Sequence, residues 1–429
     1  MIVGSAALFA VLILTFLRVP LAFSLFAVSI TALSVDMGLQ TALTMTSMTI
    51  EEAVFSYELA VVPLFILMGN ILSRSGISAD LFRAANAYFG HIKGGLALST
   101  IVTCAGFSAV CGSSLATAAT MSKVAYPSMK KYGYSDSLSA ATIAAGGTLG
   151  ILIPPSIILM IYGILTQTNI GHLFIAGVIP GILGLLLYMG AVYIIALLRP
   201  GNAPRGEKTS RHEKVASLKG VWPFVLLFML IIGGIYVKIF TATEAAGMGA
   251  GFALIIAIWQ KRISKASFRA IFLDSAFVSV MLYTVLFGAM LFAKLISFSG
   301  LGEGLLGWVE NAGLSSYQLI FAILAVFLIL GCVLDSLAII LICVPLFVPI
   351  VVANGFDLVW FGILVVVATE IALITPPIGM NVFVIKATLP NVAFKDIFRG
   401  LIPFIGADII RLMLLVFFPA LSLALVKLM

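Results

Sequence analysis

A chain of 429 residues that is 62% hydrophobic and only 10% charged lacks the polar surface to cover a water-soluble globule. Its mean hydropathy of +1.22 points to an all-α polytopic membrane protein, with room for about ten or more crossings of roughly 20 residues each. The net charge of +7 is confined to certain loops, so it reports membrane orientation and not a nucleic-acid partner.

In chain order, helices are predicted over about 2–17 and 19–35, joined at Arg18-Val19-Pro20. The first run lacks the basic start and the cleavage site of a secretory signal and reads as a retained helix. The loop that follows carries Asp36, Glu51, Glu52 and Glu58 with no Lys or Arg, which places it outside. A helix over about 59–73 delivers Arg74 to the cytoplasmic side. Residues 80–93 put Leu81, Ala85, Tyr88 and Phe89 on one face, the pattern of an interfacial helix.

Residues 96–129 are apolar around a small polar centre and are flanked on both sides by lysines, Lys93 before and Lys123, Lys130 and Lys131 after. A run that leaves and returns on one face is a re-entrant hairpin, here with its tip at Gly112-Ser113-Ser114, and such backbone survives only when buried in protein or lining a cavity. The next helix starts near Ser137 and meets Pro154-Pro155. Two consecutive prolines remove donors and push the preceding residue out of the α region, so the helix breaks and resumes to about Thr166. Another crossing covers about 177–198. The stretch 199–219 holds six basic residues against two acidic ones and reads as a cytoplasmic connector.

The plan then repeats. Helices are predicted over about 221–237, 241–259 and 273–297, an interfacial helix over 301–312, a second hairpin over 317–350 with its tip at Asp335-Ser336, a second broken helix over 358–386 and a last helix over 401–426. The two Pro-Pro pairs stand 222 residues apart, and at that offset Ser114-Leu115-Ala116 matches Ser336-Leu337-Ala338, Pro127 matches Pro349 and Gly133 matches Gly355. Lys261, Arg262, Lys265 and Arg269 mark the inside, and Glu303 and Glu310 the outside. The halves therefore enter from opposite faces as inverted repeats, the arrangement of secondary transporters with a midplane site.

A broken helix exposes carbonyls at one stump and amides at the other. The 150–155 and 372–377 segments can thus ligate a cation through backbone oxygens, with Ser113, Ser114, Asp335 and Ser336 added by the tips, an oxygen set that suits Na⁺. The alternative is that Pro-Pro marks a kink, small residues allow close packing and Asp335 caps a helix. Glu370 lies at membrane depth, where a charge is a functional candidate or pairs with another helix. Asp408 and Arg411, three apart, read as a structural ion pair. Lys294 and Lys386 read as snorkelling, and Thr241 with Glu244 as a capping box. Cys104, Cys111, Cys332 and Cys343 read as small buried hydrophobes. His91, His172 and His212 fall at interfacial or loop positions and offer no central proton relay. With no P-loop and no nucleophile motif, neither an enzyme nor a cofactor beyond a coupling ion is expected.

The strings RVPLAF (18–23), VPLFILMGNIL (62–72), the GSS tip, YPSMKKYGY (126–134), GTLGILIPPS (147–156) and TPPIGMNVF (375–383) resemble, in order and over essentially the whole chain, the large membrane subunit of TRAP transporters. These are tripartite ATP-independent periplasmic importers of the bacterial inner membrane. The resemblance implies an elevator-type architecture, with scaffold over 1–93, transport-domain parts over 94–176 and 317–400, a crossing helix, connector and scaffold over 177–316, and a C-terminal helix over 401–429. It implies one Na⁺ site at Ser113, Ser114, Gly150, Ile153 and Pro155. A second would use Asp335, Ser336, Thr369, Ala372, Thr375 and Pro377, with Thr148, Ser156 and Asn381 toward the substrate carboxylate. The implied partners are a separate small four-helix membrane subunit, a periplasmic substrate-binding protein and membrane lipid. The implied cargo is an organic acid such as a C4-dicarboxylate, a sialic acid or another sugar acid. A stand-alone symporter coupled to Na⁺ or H⁺, a channel and a membrane-embedded enzyme are the competing readings, and the doubled hairpins favour carriers over the last two.

Overall fold

The computed structural model of the chain describes residues 1–429, the side chain of Lys265 excepted. Helices α1 (Ile2–Phe16), α2 (Leu21–Met37), α3 (Leu39–Val54), α4 (Val61–Arg74) and α5 (Ile77–Phe89) lead to a helical hairpin, α6 (Gly95–Cys111) and α7 (Ser114–Val124). The short α8 (Tyr126–Lys131) precedes a broken helix, α9 (Asp136–Thr148) and α10 (Ile157–Thr166), followed by α11 (Ile170–Leu198). Then come α12 (Arg211–Leu218), α13 (Trp222–Tyr236), α14 (Ala242–Trp259), α15 (Lys265–Phe298) and α16 (Leu301–Asn311). A second hairpin, α17 (Ser316–Gly331) and α18 (Ser336–Ala353), leads to a second broken helix, α19 (Leu358–Ile374) and α20 (Met380–Thr388), and to α21 (Phe394–Phe417) and α22 (Ala420–Lys427). Among the described residues, 6 helices are long and apolar enough to cross a membrane, or 7 if the bent α12–α13 pair is one span.

Several expected loops and boundaries are corrected. The segment expected as an outer loop is mostly α3, which buries Ala42, Thr49 and Ala53 and leaves Glu51 and Glu52 exposed. The connector at 199–219 contains α12. Its start is a Ser-x-x-Glu capping box in which Ser210 Oγ accepts from the Glu213 amide at 3.2 Å and Glu213 Oε2 accepts from the Ser210 amide at 2.9 Å. α11 starts seven residues before the expected 177, because Asn169 Oδ1 accepts from the His172 amide at 3.1 Å and caps it there. α15 starts at Lys265 and not near 273, capped by Ser264. The last helix is two helices, since Pro419 has no amide to continue α21.

The two halves share local devices at the 222-residue offset. Ser113 and Asp335 cap the second helix of each hairpin, and Ser135 and Asp357 cap each broken helix. Just before those caps, Gly133 and Gly355 turn the chain at φ 78° and 74°, a conformation that a side chain resists. A larger apolar core runs through α2, α4, α14, α15 and α17–α19, and a smaller one joins α6, α9, α20 and α21.

Candidate functional site

Each hairpin turns by a different local route to the same end. Gly112, at φ 63°, closes α6, and the Ser113 hydroxyl then accepts the Ala116 amide at 3.3 Å to start α7. In the second hairpin, Asp335 Oδ1 accepts the Ala338 amide at 3.3 Å to start α18. Both residues are therefore helix caps, each satisfying an amide that the first turn leaves free.

The two tips face one another across a cavity of about 260 Å³. Ser113, Ser114, Asp335 and Ser336 supply its polar lining, Ile157, Ile158 and Leu373 its floor, and Val278, Met281 and Leu282 of α15 an apolar wall. No Lys or Arg lines it. The N-termini of α7, α10 and α18 all reach this space, and the free amides and aligned peptide dipoles of a helix start favour a negatively charged group. Positive character at the cavity thus comes from backbone, with the Asp335 carboxylate as its counterweight.

Behind the tips lie the helix breaks, both with cis Pro-Pro bonds. At the first, Gly150 is packed against the Ser108 backbone so closely that a methyl group has no room. Ser108 Oγ lies 3.0 Å from Thr117 Oγ1 and 3.3 Å from the Gly147 carbonyl, which ties the hairpin to the break. At the second, Thr375 Oγ1 donates to the Ile371 carbonyl at 2.6 Å and Thr369 Oγ1 to the Val366 carbonyl at 2.7 Å. Pro155 is buried and Pro377 is exposed, so the first break is covered and the second open.

Of the expected ion-site residues, Ser113, Ser114, Asp335 and Ser336 meet at the cavity, while Gly150, Ile153, Pro155, Thr369, Ala372, Thr375 and Pro377 stand at the breaks. The residues expected toward substrate do not line the cavity and are engaged with protein. Thr148 Oγ1 donates to the Ala145 carbonyl at 2.8 Å, Ser156 Oγ accepts from the Leu159 amide at 3.2 Å, and Asn381 Nδ2 donates to the Ala144 carbonyl at 3.0 Å. Asn381 Nδ2 thereby joins the two broken helices. The α15 wall had no signal in sequence, because that helix is apolar on several faces.

Elsewhere the charges find partners. Arg411 pairs with Asp408 at 2.8 Å and also with Glu370 of α19, all three fully buried. Tyr188 of α11 donates to Asp408 at 2.5 Å. Lys386 turns its ammonium onto the Pro390 and Val392 carbonyls at 2.6 and 2.9 Å, and Lys294 reaches the exposed Glu52 at 3.1 Å. The Thr241–Glu244 capping box is present. All four cysteines are free; Cys104 and Cys343 are buried, whereas Cys111 and Cys332 sit half-buried beside the two hairpin tips.

Residues 8–421 match the family described as tripartite ATP-independent periplasmic transporter, DctM component. The chain is 38% identical over 371 residues to the C4-dicarboxylate TRAP transporter large permease protein DctM of Pseudomonas aeruginosa, covering 86% of each chain. It is 34% identical to the ectoine TRAP transporter large permease protein TeaC of Halomonas elongata, covering 85% of each. It is 31% identical to the sialic acid TRAP transporter large permease protein SiaM of Vibrio cholerae, covering 99% of this chain and 98% of that one. Among solved structures it shares its fold with the YdaH transporter of Alcanivorax borkumensis, at a TM-score of 0.61 and 13% identity over 90% of each chain.

Proposed function

Because the chain belongs to the DctM-component family of tripartite ATP-independent periplasmic transporters, multi-pass proteins of the inner membrane that carry organic solutes by secondary transport and are not enzymes, we propose that it imports a small organic acid by coupling to Na⁺. The observation that carries this reading is the cavity between the two hairpin tips. Its volume of about 260 Å³ lies below the usual range for drug-sized ligands, roughly 300–1,000 Å³, and suits a compact solute of the C4-dicarboxylate class better than a sialic acid. The three helix N-termini favour the anionic end of such a solute. With no basic side chain in the lining, bound Na⁺ supplies the remaining positive charge.

In this reading, one Na⁺ is held by Ser113 and Ser114 with carbonyls of the Gly150–Pro155 break, and another by Asp335 and Ser336 with oxygens around Thr369, Ala372, Thr375 and Pro377. The halves are inverted repeats, and the hairpins are re-entrant. The hairpins and broken helices move as one body against a scaffold whose α15 wall forms the far side of the substrate site. α11 and α21 travel with the moving body, because Tyr188, Asp408 and Arg411 attach them to it. A separate small membrane subunit enlarges the scaffold, and a periplasmic binding protein delivers the solute.

The test is uptake of labelled organic acids into proteoliposomes holding the chain with its small membrane partner, with binding protein and an inward Na⁺ gradient each supplied or omitted. Uptake is expected only when both are present. Uptake with the gradient alone would make the protein a stand-alone symporter, and uptake indifferent to Na⁺ would sink both ion sites.

A further inference from the structure

A buried polar chain runs from one broken helix to the other, and neither the cavity nor the proposed ion coordination uses it. Its ends, Thr148 and Glu370, stand 222 residues apart and occupy the same place in each half, six residues ahead of the first proline of each pair. Thr148 Oγ1 lies 3.3 Å from Tyr188 OH on α11, and Tyr188 OH donates to Asp408 Oδ2 on α21 at 2.5 Å. One turn on, Arg411 Nη2 meets Asp408 Oδ1 at 2.8 Å and donates to Glu370 Oε2. All five side chains are completely enclosed.

The chain is fixed in place, and it meets Thr148 by contact, since the Thr148 hydroxyl donates to the Ala145 carbonyl and that of Tyr188 to Asp408. A methyl group at Gly184 would sit 2.3 Å from Arg411 Nη1, so α11 closes directly over the guanidinium. Arg411 Nε and Nη1 make no hydrogen bond to protein, and Asp408 Oδ1 meets the guanidinium as an ion pair only. Turning one broken helix against the other would therefore break a charged contact inside a fully enclosed site.

We propose that this chain is the coupling element between the two cation sites: it holds the breaks in register, so that filling one site prepares the other and Na⁺ binds cooperatively. The proposal rests on the two-cation reading above. Tyr188, Asp408, Arg411 and Glu370 are positioning residues in it and touch neither ion nor substrate.

The experiment is a Na⁺ titration of initial uptake in the complete system, paired with the Na⁺ dependence of the melting temperature of the purified complex. The wild-type Hill coefficient is expected above 1, with a ceiling of about 2 for two sites. Tyr188→Phe removes one hydroxyl and no charge; it should bring the coefficient toward 1 and raise half-saturating Na⁺ by about five-fold or more, with uptake at saturating Na⁺ retained. Glu370→Gln should do the same, and the double variant should be no worse than either single one. Trp360→Phe is the control, since it removes another tie between α19 and α21, the 2.8 Å bond to the Leu415 carbonyl, without interrupting the chain. It should lower the melting temperature and leave the Hill coefficient alone. No Na⁺ dependence in the wild type would refute the underlying reading. A wild-type coefficient of 1, an unchanged coefficient in Tyr188→Phe, or an equal fall in Trp360→Phe would overturn this proposal alone. Should Tyr188→Phe fail to fold, Glu370→Gln decides by the same criterion.

Discussion

Gly150→Ala puts the packing of the first break under direct load. A Cβ built there would lie 1.7 Å from Ser108 Cβ and 2.5 Å from both Ser108 Cα and its carbonyl carbon. Ordinary contact begins near 3.4 Å, so the methyl group must displace backbone by more than an ångström, and no rotamer change relieves it. Overpacking of this kind costs about 1–3 kcal/mol, and the backbone contacts put this case at the top of that range. Gly190→Ala on α11 is the matched control, with nothing within 4 Å, where alanine should be neutral or stabilise the helix by up to about 1 kcal/mol. Both variants would be melted in detergent and assayed for Na⁺-dependent uptake. Gly150→Ala should melt well below the control and, because the break carries the carbonyls of the proposed first Na⁺ site, need at least about ten-fold more Na⁺, a loss of roughly 1.4 kcal/mol of ion binding. Indistinguishable melting would refute the packing argument. Lower stability with unchanged Na⁺ dependence would remove the ion site from this break.

Arg411→Ala strands two buried carboxylates and should destabilise by about 3–5 kcal/mol in thermal or denaturant melting, with Arg411→Lys milder because it keeps the charge. Asp335→Asn keeps a good cap and should leave stability within about 0.5 kcal/mol while weakening Na⁺ binding; Asp335→Ala should lose about 1 kcal/mol more. At the start of α9, the Lys130 ammonium, 2.6 Å from Asp136, holds that carboxyl below the usual carboxylate range. The folded state thus favours the ionised form, so this stability is present above about pH 4 and is lost as pH falls through the depressed folded value. The pair is partly exposed and screened, which limits the effect to less than about 1 kcal/mol. Lys130→Ala should flatten the acid limb of a melting-versus-pH profile by that amount, and an unchanged limb would count against the pair.

The doubled Pro-Pro pairs made the breaks legible, because proline acts on the backbone and its effect survives any tertiary context. The caps at Asp335 and Thr241 were legible for a related reason, being local contacts within one turn. What stayed hidden was set by packing across distance. Nothing in the run around Tyr188 announces a bond to Asp408, 220 residues away, and nothing in the apolar pattern of α15 says which face meets the tips. The Asn169 and Ser264 caps were present in sequence but masked by continuous hydrophobicity, which blurs where a helix begins. α12 was lost for the opposite reason, since a short polar helix gives no apolar period to read.

The placement of the cysteines has a practical consequence. Cys104 and Cys343 are sealed in apolar packing, while Cys332 flanks the second hairpin tip and is partly open. The protein therefore carries a native reporter at the second tip, Cys332, with Cys104 and Cys343 as internal blanks. A thiol-reactive probe applied from one side of the membrane at a time would read whether the second tip is open to that compartment, without introducing a single substitution.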